Sequence, residues 1–129
     1  MRPLKNKYYP QFRPGDRVVS LVYHPPEITS GTEATIISPQ FGTLYAVQLP
    51  DGQLHRWVAE FELRPLNTRM KQLELGDSAV VLNDVGHHHI EKGMIVKIVK
   101  GINTYFYDLR LEDGSYHRWL AEFELAFPI

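Results

Sequence analysis

Histidines are the residues of this chain with the widest chemical repertoire, and three of the six are consecutive, His87, His88 and His89. In an extended segment neighbouring side chains point to opposite faces, so only His87 and His89 could converge on one metal ion. A metal site needs further ligands, and Asp84 and Glu91 are the nearest. A solvated loop that responds to pH explains the run more simply. We therefore predict no metal and no other cofactor, with His87 and His89 as the weak candidate ligands.

A catalytic pair could be drawn from His55 with Glu60 or Glu62. The chain has no cysteine, no Gly-x-Ser-x-Gly nucleophile elbow and no phosphate-binding glycine loop. A pair that recurs in both halves of a chain without pocket-forming insertions is better explained as a structural motif. The sequence predicts that the protein is not an enzyme.

Two copies of one module make up most of the chain. Gly31–Leu63 aligns without a gap on Gly93–Leu125 at an offset of 62, and fourteen of these 33 positions are identical. Upstream, Gly15-Asp16 matches Gly76-Asp77 at an offset of 61. The predicted domains are a basic arm at 1–10, a first repeat at 11–66, a linker at 67–71 and a second repeat at 72–129.

Strands punctuated by Gly, Pro and Asp-Gly are predicted within each repeat. In the first repeat they are Arg17–Val22, Thr32–Ile37, Tyr45–Leu49, Gln53–Val58 and a short last strand at 63–66. Asp51-Gly52 and Asp113-Gly114 are typical of two-residue type I′ hairpins. Ala59-Glu60-Phe61-Glu62 is too short for an α-helix and lacks alternation, which predicts a 3₁₀ turn before the last strand.

This order of elements resembles the SH3-like barrels, which include KOW and Tudor domains and the small barrel of the nitrile hydratase β subunit. The resemblance rests on Pro14-Gly15-Asp16-x-Val18, Gly31, Tyr45-x-Val47-x-Leu49, the Asp-Gly hairpin and Glu62-Leu63. It implies an all-β fold of two tandem five-stranded SH3-like barrels, each with a 3₁₀ turn before its last strand. A fold of this kind serves many functions, so it implies little about activity.

The repeated His-Arg-Trp triplets lie on a predicted strand, where the His and Trp share one face. Buried tryptophans would make the repetition a matter of core packing, which is the favoured interpretation. Exposed ones would line a groove for a Pro-rich peptide, a methylated ammonium group or an unstacked base. The candidate ligand-binding residues are Tyr45, Trp57, Phe61, Tyr107, Trp119 and Phe123, with His55 and His117.

Charge and composition narrow the function classes. The chain has 14 basic and 15 acidic residues and no cysteine, which fits a reducing cytoplasm. It has no signal-peptide h-region and no run approaching the roughly 20 apolar residues that span a bilayer, so no membrane association is expected. The leading expectation is a cytoplasmic, non-catalytic module that binds another protein or peptide. A nucleic-acid-binding module that uses the basic arm, and an accessory subunit of a metalloenzyme, are the alternatives; the oligomeric state is left open.

Overall fold

The computed structural model describes residues 9–24, 28–69 and 72–129. Most of the basic arm, Pro25-Pro26 of the first long loop and the end of the linker lie outside the described residues. The all-β class is confirmed, because the described chain forms a single antiparallel sheet with the order β4-β5-β6-β2-β1-β8, with β3 paired to β2 and β7 paired to β6. The strands are β1 Arg17–Ser20, β2 Glu33–Gln48, β3 Leu54–Ala59, β4 Leu63–Pro65, β5 Ser78–Val81, β6 Ile95–Leu111, β7 Tyr116–Ala121 and β8 Leu125–Ala126.

Among the described residues each repeat contributes four strands, so the prediction of five per repeat is wrong. The second and third predicted strands are one continuous strand, β2, which has 16 residues; its counterpart β6 has 17. The chain remains extended between the two predicted strands, where Gly42 has a φ of 159°. The predicted 3₁₀ turns are confirmed at Glu60–Glu62 and Glu122–Glu124, each directly before the last strand of its repeat.

The Asp-Gly hairpins lie where they were predicted, but they have three-residue loops instead of type I′ turns. Leu49 pairs with Gln53, and the Gly52 N–H donates to the Leu49 carbonyl. Only Gly52 has a positive φ, 93°, whereas type I′ needs two such residues. The Asp51 carboxylate accepts the Gln53 N–H at 2.9 Å and fixes the loop in this form.

The chain forms two compact units that do not follow the repeat boundaries. The first unit combines the chain up to Phe41 with Thr104–Ile129, and the second unit is Gly42–Asn103. Strand pairing explains this division: β1 pairs with β8 of the other repeat, and β4 pairs with β5 of the other repeat. Both repeats therefore contribute strands to each unit, and the long strands β2 and β6 each run from one unit into the other.

Each unit has its own hydrophobic core. The first contains Phe12, Val18, Ile28, Ala34, Ile36, Tyr107, Leu109, Leu111, Leu120 and Leu125. The second contains Tyr45, Val47, Leu49, Val58, Leu63, Ala79, Val81, Ile90, Val96 and Ile98. Within the described ranges, no helix has the length and apolar character needed to cross a membrane.

Candidate interaction surface

The two tryptophans of the His-Arg-Trp motif are core residues. Trp57 and Trp119 are each 1% exposed, and the Trp119 ring packs edge-on against Phe106 at a centroid distance of 4.9 Å. The Arg118 guanidinium lies over the Trp119 ring at 4.8 Å. The peptide bonds that precede both tryptophans are cis. Because both rings are buried, neither tryptophan offers a face to a ligand.

The predicted tyrosines are also buried, each beside the first glutamate of a 3₁₀ turn. The Tyr107 hydroxyl donates to Glu122 Oε1 at 2.6 Å, and the same oxygen accepts the Gln11 N–H at 2.8 Å. Burial, and then the hydrogen bond to Glu122, raises the pKa of Tyr107 well above its usual value. In the second unit, burial and then the charge of Glu60 raise the pKa of Tyr45.

A buried histidine–glutamate pair lies in the first unit. His24 Nε2 is 3.0 Å from Glu124 Oε2, and the two side chains are 4% and 1% exposed. Glu124 Oε1 accepts the Ala121 N–H at 2.8 Å, so the carboxylate also fixes the start of its own 3₁₀ turn. The ring of His117, the motif histidine, packs edge-on against His24 at 6.2 Å.

The second unit repeats this arrangement with exchanged partners. His87 Nε2 is 3.0 Å from Glu62 Oε2, and neither side chain is exposed. Glu62 Oε1 accepts the Ala59 N–H at 2.9 Å, and the His55 ring packs edge-on against His87 at 5.5 Å. We call these two clusters, His24–Glu124–His117 and His87–Glu62–His55, the histidine clips.

The metal-site candidates do not come together. His87 points into its clip, while His89 is exposed and has a φ of 67°. Among the described residues, no group of three His, Asp or Glu side chains is arranged to hold a metal ion. His55 and Glu62 were considered as a catalytic pair. The Glu62 carboxylate is buried, where it binds His87 and the Ala59 N–H.

Sequence reasoning missed the role of His24. Each clip joins a histidine in a loop of one repeat to a glutamate in the 3₁₀ turn of the other repeat. A search for partners within a single repeat therefore does not find the pair. A signal was present: His24 and His87 each follow the first strand of their repeat, at an offset of 63. Neither the offset of 61 before this loop nor the offset of 62 after it pairs His24 with His87.

Phe61 and Phe123 are the predicted aromatic residues that reach the surface. They are 58% and 62% exposed, at the centre of the two 3₁₀ turns. The clip glutamate binds the backbone at the start of each turn. The residue that follows the turn, Leu63 or Leu125, donates its backbone N–H to the carbonyl of the first glutamate. A large apolar side chain is therefore presented on a fixed backbone, once in each unit.

Solved structures of other proteins share the fold of this chain. A DUF1541 family protein, YdhK from Bacillus subtilis, is similar to this chain in its crystal structure, with a TM-score of 0.71 and 25% identity over 97% of this chain and 90% of that one. A second YdhK crystal structure gives a TM-score of 0.65 over 88% and 98% of the two chains. The solution structure of the YdhK C-terminal domain gives 0.65 over 90% and 93%. No family model and no curated protein matches. The chain thus shares the all-β fold of the DUF1541 proteins.

Proposed function

We propose that this protein is a non-catalytic module that binds another protein through the exposed phenylalanines of its 3₁₀ turns. The observation that carries the proposal is the exposure of Phe61 and Phe123, 58% and 62%, at equivalent positions of the two units. Aromatic side chains held on a rigid backbone contribute most to protein interfaces, because they bury a large area at a small cost in conformational entropy.

The clips support a structural role for the remaining polar residues of the motif. Their glutamates are buried and bind His24, His87 and the turn backbone. A substrate would need access to such groups. We therefore assign the His-Arg-Trp and Glu-Phe-Glu motifs to the support of the two phenylalanines and not to a reaction.

As part of the same proposal, we regard each unit as an SH3-like assembly built from both repeats. Its support is the order of elements: a long strand, a hairpin, a 3₁₀ turn and a short last strand. The cytoplasmic location is proposed on the absence of cysteine.

The test is an affinity capture from lysate of the source organism after nuclease treatment. The bait chains are the wild type, a Phe61→Ser/Phe123→Ser variant and a Leu21→Ser/Leu54→Ser control that removes two other exposed apolar side chains, 53% and 69% exposed. A protein retained by the wild type and the control but lost from the phenylalanine variant supports the proposal. Equal retention by all three chains contradicts it. Recovery only of nucleic acid, without nuclease and with a steep salt dependence, would favour the nucleic-acid alternative.

A further inference from the structure

One edge of the second unit lacks a partner strand. β5 pairs with β6 only over Ile95–Lys97, and the Ile98 backbone still bonds to Gly76 and Asp77. β7 first pairs with β6 at Phe106. Within the part of the chain that is described, no strand covers 99–103 on that side of β6, while β2 lies on the other side, where Thr43 donates to Asn103 at 2.6 Å.

An open groove of about 500 Å³ lies beside this segment. It is lined by the β6 segment 98–103, by Leu73-Glu74-Leu75, and by Thr43 and Tyr45 of β2. The alternation of buried and exposed residues along β6 stops here: Val99, Lys100 and Gly101 are all exposed. Three successive exposed residues show that both faces of β6 are open to solvent at this point.

The first unit shows how the same edge is closed. At the position of Lys100 it has Ser38, whose N–H and hydroxyl donate to Asp108 Oδ1 at 2.9 and 2.8 Å. The Tyr116 hydroxyl donates to the other oxygen of Asp108 at 2.6 Å. Inward-directed charge is one of the devices by which proteins protect strand edges.

The second unit has none of these devices. The counterparts of Asp108 and Tyr116 are Ala46 and Leu54. Neither can replace the carboxylate that would accept the N–H of residue 100, or the hydroxyl that would orient that carboxylate. The edge at 99–103 is open where its counterpart is closed.

We propose that the second unit binds an extended peptide segment of another protein, which adds as a strand to β6 at 99–103. This inference rests on the proposed protein-binding function and gives it a second, separate site. Backbone hydrogen bonds to β6 would supply the affinity, and the side-chain pockets the specificity. An apolar residue fits against Tyr45 and Leu73, an acidic residue beside the exposed Lys100 and a basic residue toward Glu74.

A second copy of this chain fits the same edge poorly. Self-pairing of two antiparallel edges centred on Lys100 would place Lys100 of one copy directly opposite Lys100 of the other. Like charges on directly opposing strands destabilise the pairing. A heterologous peptide with an acidic residue meets no such repulsion.

The test transplants the closed edge of the first unit into the second. The variant Ala46→Asp/Leu54→Tyr/Lys100→Ser installs the cap, and Lys100→Ser alone is the matched control that removes the charge but not the open edge. Short linear peptides are selected from a displayed random library on the full-length wild-type chain. Their affinities are then compared across the three chains, after each has been shown to fold by its amide NMR spectrum.

We expect the selected peptides to shift the amide resonances of 99–103 and to be enriched in acidic residues. The transplant should weaken their binding by about tenfold or more, the effect of losing one or two backbone hydrogen bonds, and the control should weaken it less. N-methylation of alternate peptide nitrogens should abolish binding. Selected peptides that bind all three chains equally, a library that yields no binder at 99–103, or association of the chain with itself through this edge would overturn the proposal.

The outcome is separable from that of the phenylalanine surface, because Phe61 and Phe123 do not line this groove. Peptides of the expected kind should bind Phe61→Ser/Phe123→Ser as well as they bind the wild type. Loss of peptide binding in that variant would contradict the inference, whatever the lysate capture shows.

Discussion

Removing His87 from its clip should be among the most destabilising single substitutions in the second unit. In His87→Ala the Glu62 carboxylate, which is 0% exposed, keeps its bond to the Ala59 N–H but loses the imidazole at 3.0 Å. Loss of a buried hydrogen bond to a carboxylate costs about 1–3 kcal/mol. Folded domains have only about 5–15 kcal/mol of stability, so a large part of it would be lost.

Urea unfolding followed by tryptophan fluorescence measures the effect, since Trp57 lies in the core of the same unit. The matched control is His88→Ala, an exposed neighbour in the same loop, which should change the free energy of unfolding by no more than about 0.5 kcal/mol. The double variant His87→Ala/Glu62→Gln also replaces the Glu62 carboxylate by a neutral amide.

The double variant should therefore be more stable than the sum of its two single variants predicts, with a coupling of about 1–3 kcal/mol. If His87→Ala cost no more than His88→Ala, or if the double variant were strictly additive, the clip would not be a structural element. The assignment of the repeated motif to support of the 3₁₀ turns would then be wrong as well.

Three further perturbations test other contacts. The pKa of Tyr107 is raised in the folded state, so this residue contributes stability that is complete below its ordinary pKa near 10 and is lost as pH rises above it. In alkaline solution the free energy of unfolding should therefore fall more steeply with pH for the wild type than for Tyr107→Phe. Gly101→Val should cost about 1–3 kcal/mol in urea unfolding, since a Cβ there lies 3.1 Å from the Tyr45 ring. Asp108→Ala should cost about 1–3 kcal/mol by leaving the Ser38 N–H without its acceptor, whereas Ser38→Ala keeps that N–H bonded and should cost less.

Local structure could be predicted from the sequence because its causes are local. β-branched and aromatic runs, Asp-Gly pairs and the short Glu-Phe-Glu segment are enough to predict an all-β chain, its hairpin positions and its 3₁₀ turns. The error over β2 is also local, because the chain remains extended through Pro39 and Gly42.

The exchange of strands between repeats could not be predicted, since the two repeats offer nearly equivalent partners. β1 has the choice of Leu63 or Leu125 at the end of a repeat, and the residues before each of them, Ala-Glu-Phe-Glu, are identical. Hydrophobic patterning decides which face of a strand is buried, but it cannot distinguish two copies of the same partner. The histidine clips depend on this exchange, so they were out of reach as well.

Of the candidate site, the burial of the tryptophans was the interpretation that the sequence favoured, and the exposure of Phe61 and Phe123 could not be inferred. A single helical turn has no periodicity long enough to separate an inner from an outer face. Its orientation is set by Glu62 and Glu124, whose partners come from the other repeat. Only the three-dimensional structure shows which residue of Glu-Phe-Glu points outward.

The differences between the repeats matter more for function than their identities do. The clip glutamates, the motif histidines and the tryptophans are identical in the two copies, because each unit needs the same support for its core. Divergence is concentrated in the middle of the long strands. In the first unit Ser38 binds Asp108. In the second unit the counterpart of Ser38 is Lys100, and the counterpart of Asp108 is Ala46. Whether position 46 or 108 is an alanine or an aspartate decides whether the neighbouring strand edge is capped. The change has little effect on the hydrophobic core. Duplication thus allows one unit to keep a closed edge while the other acquires a binding edge on the same framework.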